Sequence, residues 1–352
     1  MSLQRAALWA IVVAAAIYLI VAGRGLLLPF VLGVVLWYMI HALADAFETP
    51  RLATWHLPRP VALAAAVCVM GGLVWVLGRT IGHNLTAVVN AAPTYERRLQ
   101  ALIDQGARLV GVDQAPTITE LFNRISLADS LASLAAATAS IVSVAGIVLI
   151  YAGFLFVEQV RFRHKLAIIL AERAHHQAHV LAVLDRIDRD IRTYIRIKTM
   201  LATAASGLAY VVMSSVGLDF AGFWAVMVFF LYYVPTIGSF IAIVAPALLT
   251  LVQFDDLTPF LIVLAVFGTI QVVTANVIEP AILGRSLNLS PLVVIVSLVV
   301  WGTAWGVAGM FLCVPIMVVA LIVLAQFEAT RPVAVLLSAD GDIPKSETVG
   351  QQ

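Results

Sequence analysis

The sequence predicts an all-α polytopic membrane protein of about eight transmembrane helices, with broken or re-entrant segments near 220–254 and 286–327. Three observations carry that prediction. The 352-residue chain is 62% hydrophobic and only 12% charged, against roughly 25% charged in an ordinary soluble domain. Its apolar residues gather in charge-free windows of membrane-crossing length. The window Phe220–Phe254 runs 35 residues without a charge. As one helix it would measure roughly 52 Å at about 1.5 Å per residue, too long for a bilayer core of about 30 Å.

The windows follow one another as Ala6–Gly23, Gly25–Ala44, Pro60–Gly78, Ser130–Val157, Thr199–Leu218, Phe220–Phe254, Leu257–Ile278 and Ser286–Phe327. Arg5 before the first apolar run imitates a secretion signal. That run is followed at once by another, however, so it reads as an uncleaved span. Counting one crossing per window gives eight. The expected organisation is a three-span unit over 1–82, an amphipathic extracytoplasmic segment over 83–135 and a fourth span over 136–157. A cytoplasmic amphipathic segment over 158–198, a C-terminal transport unit over 199–327 and a cytoplasmic tail over 328–352 complete it.

Charge sets the sides. His83–Asp129 holds four basic residues and Glu158–Lys198 holds nine, so the second segment is assigned to the cytoplasm. Both termini then fall in the cytoplasm, unless Phe220–Phe254 returns instead of crossing and inverts the sides of the later segments. Val180, Val183, Leu184, Ile187, Ile191, Tyr194 and Ile195 recur at helical spacing, as do apolar residues from Leu85 to Val110. These stripes are expected to pack on the bundle or on a neighbouring subunit. The net charge of +1 gives no reason to expect nucleic acid as a partner. Cys68 and Cys313 stand in apolar runs and read as buried small hydrophobes.

The overlong window carries its own break at Tyr232-Tyr233-Val234-Pro235-Thr236-Ile237-Gly238-Ser239. Pro removes a backbone donor, and freed backbone groups at membrane depth survive only inside protein or along a wet cavity. Pro235, Thr236, Gly238 and Ser239 are therefore candidate pathway residues; a plain packing kink is the alternative. The 42-residue window Ser286–Phe327 repeats the theme, with Gly302, Gly306 and Gly309 and then Pro315. Small residues let helices approach closely in lipid, so these four are read as packing or hinge positions. Paired interrupted segments in two halves point to a transporter site.

Glu279 and Arg285 are the only charges between Asp256 and Glu328. A charge near membrane depth is a functional candidate. Glu279 would bind a cation or proton or pair with Arg285, with Asn276 one turn before it, and Pro280 and Gly284 shaping the backbone. Equally, Pro280 ends a helix at the membrane surface and both charges are solvated; position alone leaves both readings open. His175 and His179 stand at i,i+4, but no Cys joins them and Glu172 and Arg173 flank them, so they read as an exposed face. No metal or other cofactor is assigned. No nucleophile elbow, Walker A loop, His-Glu-x-x-His or dinucleotide fingerprint occurs, so no enzyme activity is assigned and ATP-driven transport by this chain alone is not expected.

Several stretches together resemble the signature of the autoinducer-2 exporter family. They are Gly217-Leu218-Asp219-Phe220-Ala221-Gly222-Phe223-Trp224, Phe230 to Ser239, Asn276-Val277-Ile278-Glu279-Pro280 with Gly284, and Leu289-Ser290-Pro291 leading to Trp301-Gly302, Gly306, Gly309 and Val314-Pro315. The resemblance covers roughly Ile191 to Phe327. It implies eight spans, cytoplasmic termini, a bacterial inner-membrane location and secondary transport of a small molecule or ion, and a homopentamer in the lipid bilayer. The family is named for export of a quorum-sensing signal, and other members resemble sodium–proton antiporters. Tyr232 and Thr236 depart from the residues common in the family, which opens the identity of the solute. A passive channel and a membrane scaffold remain the alternative classes.

Overall fold

The structure, a computed structural model, describes residues 3–48, 58–72, 127–169, 174–283 and 288–341, with single positions between 78 and 108. Within them the regular structure is helical, apart from one isolated antiparallel bridge between Leu289 and Ser338. The helices are α1 (Leu3–Ala22), α2 (Arg24–Glu48), α3 (Arg59–Gly72), α4 (Leu127–Ile169) and α5 (Ala174–Ser215), then α6 (Ala221–Leu231), α7 (Ile237–Gln253), α8 (Thr258–Ile278), α9 (Glu279–Leu283), α10 (Pro291–Ala325) and α11 (Arg331–Leu337). By length and composition α2, α8, α10 and Gln177–Ser215 of α5 can each cross a bilayer. The helix α3, Val144–Gln159 of α4, α6 and α7 are shorter apolar pieces. The amphipathic stripe on α5 is buried where expected, at Ile191, Tyr194 and Ile195. The stripe from Leu85 to Val110 lies almost wholly outside the described residues. Of the two cysteines, Cys313 is buried, whereas Cys68 is exposed on the surface of α3. An apolar run burdens only one helix face with packing and leaves the other to lipid.

The chain divides into two compact units. One comprises Met1–Ala66, Ala145–Thr199 and Glu279–Gln352; the other comprises Val67–Val144 and Met200–Ile278. Each unit contains one of the overlong windows, and each window is broken.

In the second unit, α6 and α7 are about 16 and 25 Å long at about 1.5 Å per residue, and they pack against one another. Tyr232–Thr236 between them is not helical, and Tyr232, Tyr233 and Val234 are buried. The chain turns at Thr236, whose φ of 61° and ψ of −61° place it at the centre of a γ-turn, closed by the Ile237 amide donating to the Pro235 carbonyl at 2.6 Å. That turn type is rare and strained, and a β-branched residue at positive φ is a genuine outlier. The turn brings Gly238 so close to the end of α6 that a Cβ there would overlap the Leu231 carbonyl oxygen. The far ends of α6 and α7 also meet. Gln253 at the end of α7 accepts from the Asp219 amide at 2.7 Å and donates to the Gly217 carbonyl at 2.8 Å, just before α6 begins. Phe220–Phe254 therefore leaves and returns as a helical hairpin.

The first unit repeats this with a different device. A single residue of α10, Gly306, has non-helical dihedrals (φ 66°, ψ −147°), a region essentially restricted to glycine. The chain bends back there, and a Cβ on Gly309 would overlap the Trp301 carbonyl oxygen. Its ends are also drawn together. The Ser290 amide before α10 donates to the Leu337 carbonyl of α11 at 3.0 Å, and the Ala339 amide donates to the Asn288 side-chain oxygen at 3.2 Å. The indole of Trp305, beside the bend, donates to the Ile20 carbonyl of α1 at 3.0 Å. At Pro315 α10 keeps helical dihedrals.

Candidate functional site

Glu279 opens α9, directly after α8. Its carboxylate lies 2.6 Å from the ammonium of Lys198 on α5, and the two side chains are only 21% and 8% exposed. Both residues belong to the first unit. Charges withdrawn from water to this extent hold their ionised forms only when paired, because desolvation costs each ion several kcal/mol. Glu279 is thus paired with Lys198 and partly shielded from water. Gly284 and Arg285 lie outside the described residues, and Pro280 is the second residue of α9. Asn276, exposed on α8, donates its amide to its own helix at the Val272 carbonyl, 2.9 Å away.

Two further side chains with polar atoms, Ser297 and Cys313 on α10, are also buried. The Ser297 hydroxyl donates to the Val294 carbonyl of its own helix at 2.9 Å. Lys198 and Ser297 are absent from the residues singled out from sequence. One local signal points to Lys198: it stands at the edge of the window Thr199–Leu218, as Glu279 stands at the edge of Leu257–Ile278. Two opposite charges bordering apolar windows are natural partners for one another.

The other candidates sort into two groups. Pro235, Thr236, Gly238 and Ser239 share the turn of the second unit, where Gly238 is buried, Pro235 and Ser239 are half-buried and Thr236 is exposed. Gly302, Gly306 and Gly309 share the bend of the first unit; a Cβ on Gly302 would meet the flexible Met310 side chain at 2.9 Å. The second unit holds one polar residue that the sequence did not mark. Gln271 is 2% exposed, and neither of its amide atoms has a hydrogen-bond partner among the described residues. It sits on α8 between two π-helical turns, Val263–Phe267 and Thr274–Ile278, a distortion frequent at functional sites.

Comparison with known proteins places this geometry. The model of the AI-2E family transporter matches residues 7–329. The chain is 28% identical over 321 residues to the AI-2 transport protein TqsA of Escherichia coli K12, covering 89% of each chain. It is 26% identical over 349 residues to the putative transport protein YhhT of the same organism, covering 93% of this chain and 97% of the relative. To the putative permease PerM it is 24% identical over 318 residues, covering 83% and 84%.

Proposed function

The chain belongs to the AI-2E transporter family, and from that premise we propose that it is a secondary transporter exporting a small polar solute of the quorum-signal class across the bacterial inner membrane, with movement coupled to an ion. The observation that carries this reading is the Lys198–Glu279 pair, in which Lys198 is buried and Glu279 half-buried. An ionisable group withdrawn into a membrane protein is a functional candidate by default, and a pair can be exchanged. A proton or cation taken up by Glu279 releases Lys198. The ammonium, no longer held by Glu279, can then donate to an anionic or hydroxylated group of the solute as its hydrogen-bond acceptor. In the second unit, taken by itself, the exposed Thr236 and half-buried Pro235 and Ser239 carry the polar groups of an interrupted backbone.

The two returning windows support a topology of six crossings and two hairpins. Starting with Glu158–Lys198 in the cytoplasm, the hairpin at Thr236 returns to the outer side and the hairpin at Gly306 to the inner side. Both termini then stay cytoplasmic, because the two returns cancel. Lys198 and Glu279 fall on the same side of the membrane in this scheme, as their contact requires. With one crossing per window they would fall on opposite sides.

The test is flux in proteoliposomes under imposed sodium and proton gradients, with a panel of small hydroxylated solutes. Glu279→Gln is expected to abolish flux. Removing one partner of a buried pair also costs about 3–5 kcal/mol, so a second variant separates stability from transport. Lys198→Leu with Glu279→Leu is expected to restore thermal stability without restoring flux. Wild-type flux in Glu279→Gln, or in the double variant, overturns the assignment. Sodium–proton exchange is a second reading favoured by the same carboxylate–ammonium pair; it is distinguished by gradient-driven cation flux with no solute present.

A further inference from the structure

The first unit contains a cavity of about 750 Å³, walled by α2, the start of α3, the C-terminal part of α4 and the charged half of α5. That volume lies within the range of small-molecule sites, about 300–1,000 Å³. One wall is apolar, built by Phe30, Val34, Leu63, Leu155 and Phe162. Phe30, inside the second span, is also 42% exposed, so this wall runs on into the surface of the membrane helices. The other wall is polar and comes from α5 and the first turn of α3.

An inventory of donors and acceptors on the polar wall shows what is missing. Asp188 is engaged by Arg192 at 3.2 Å. Arg192 also reaches Asp45 at 3.5 Å. Glu158 pairs with Lys165 at 2.5 Å, and Asp185 has an interaction of its own. The acidic groups are thus engaged. Two donors are not. The indole N–H of Trp37 is buried without an acceptor among the described residues, and no carboxylate among them pairs with the exposed Arg59. A buried donor without an acceptor is destabilising. The cavity therefore lacks an acceptor-rich, anionic group next to an apolar chain.

We propose that this cavity holds one membrane phospholipid, its phosphodiester bound by Arg59 and the Trp37 N–H and an acyl chain lying along Phe30, Leu63 and Leu155. Guanidinium groups bind phosphate with two parallel hydrogen bonds. Tryptophan at the headgroup level presents an apolar body and a polar edge. Basic pockets between membrane helices recognise lipid headgroups in this way. The proposal is independent of the transport reading, since it uses neither Lys198 nor Glu279.

The test is native mass spectrometry of the full-length, delipidated protein. Phosphatidylglycerol, phosphatidylethanolamine, a diacylglycerol without phosphate, and inorganic phosphate are added separately. One phospholipid per chain is expected to be retained, whichever of the two headgroups it carries, and neither diacylglycerol nor phosphate. Arg59→Ala and Trp37→Phe are each expected to weaken retention about tenfold or more, the scale of one hydrogen bond to a charged group. Leu63→Trp, one turn along α3 from Arg59, keeps the guanidinium but fills the cavity and is expected to abolish retention. Equal retention of diacylglycerol would reduce the site to apolar filling. Stabilisation by inorganic phosphate alone would make it a free-anion site. Wild-type retention in Arg59→Ala and Leu63→Trp overturns the proposal outright.

Discussion

The two hairpins reach the same shape by opposite means. At Thr236 the chain reverses through five non-helical residues and a strained γ-turn on a β-branched side chain, with Tyr232, Tyr233 and Val234 buried around it. At Gly306 it reverses through a single glycine, in backbone space that other residues avoid. One turn keeps a conformational cost that its surroundings must offset; the other removes the cost by choosing its residue. Both turns then seat a nearby glycine against a backbone carbonyl, Gly238 on Leu231 and Gly309 on Trp301. Strain tends to persist where it serves a function, so the Thr236 turn is the better candidate for a working part and the Gly306 turn for a structural bend.

The largest expected effect tests what the hairpins share. Gly238→Val and Gly309→Val each drive a side chain into backbone, which cannot yield as a flexible side chain can. Both variants are expected to fail to give folded, monodisperse protein by size-exclusion chromatography. A well-folded Gly238→Val or Gly309→Val would break the parallel. Next come the turn residues, where the two should diverge. Gly306→Ala is expected to destabilise by about 1–3 kcal/mol, read as a lower Tm. Thr236→Gly relieves strain of similar size and loses about 1 kcal/mol to chain entropy; it is expected to leave Tm unchanged or raised while flux falls. If Thr236→Gly keeps full flux, the strained turn is architectural.

Smaller effects come from the clasps at the hairpin bases. Gln253→Ala removes two hydrogen bonds and Asn288→Ala one, at about 0.5–1.5 kcal/mol each. The Thr236 hairpin should therefore lose more Tm from its clasp variant than the Gly306 hairpin from its own. The smallest effect is a pH response beside the Gln253 clasp. Asp256 accepts from the Thr258 amide at 3.2 Å, and its hydrogen bonds to Thr258 hold its carboxyl below the usual carboxylate range. A depressed carboxylate contributes stability that is fully present above its unfolded pKa, about 3.9, and lost as pH falls through the folded value. A slight Tm loss confined to pH below about 4, and absent in Asp256→Asn, is the expected outcome of a pH series.

Much of this was legible along the chain. Hydropathy is a local sum, so the all-α membrane class, the two overlong windows and the residues that break them can be read in order from Phe220–Phe254 and from Gly302 to Gly309. Glu279 stood out because charge is scarce there. Its partner did not, since Lys198 closes a segment already rich in cations and was counted with them. Gln271 is a neutral amide in an apolar run, and only its missing hydrogen bonds single it out. The Trp37–Arg59 cavity joins helices distant in sequence, so no spacing rule reaches it.

The order of residues alone is enough to put this chain in a membrane, to mark where its helices must break and to assign its transporter family. Only the folded arrangement shows that both broken windows return to their starting points, that Glu279 pairs with Lys198, and which donors are left unsatisfied. The reason is physical. Transfer of a segment from water to lipid depends on that segment's own residues, whereas a reversal of direction, an ion pair or an unmade hydrogen bond depends on which distant groups the fold brings within a few ångströms.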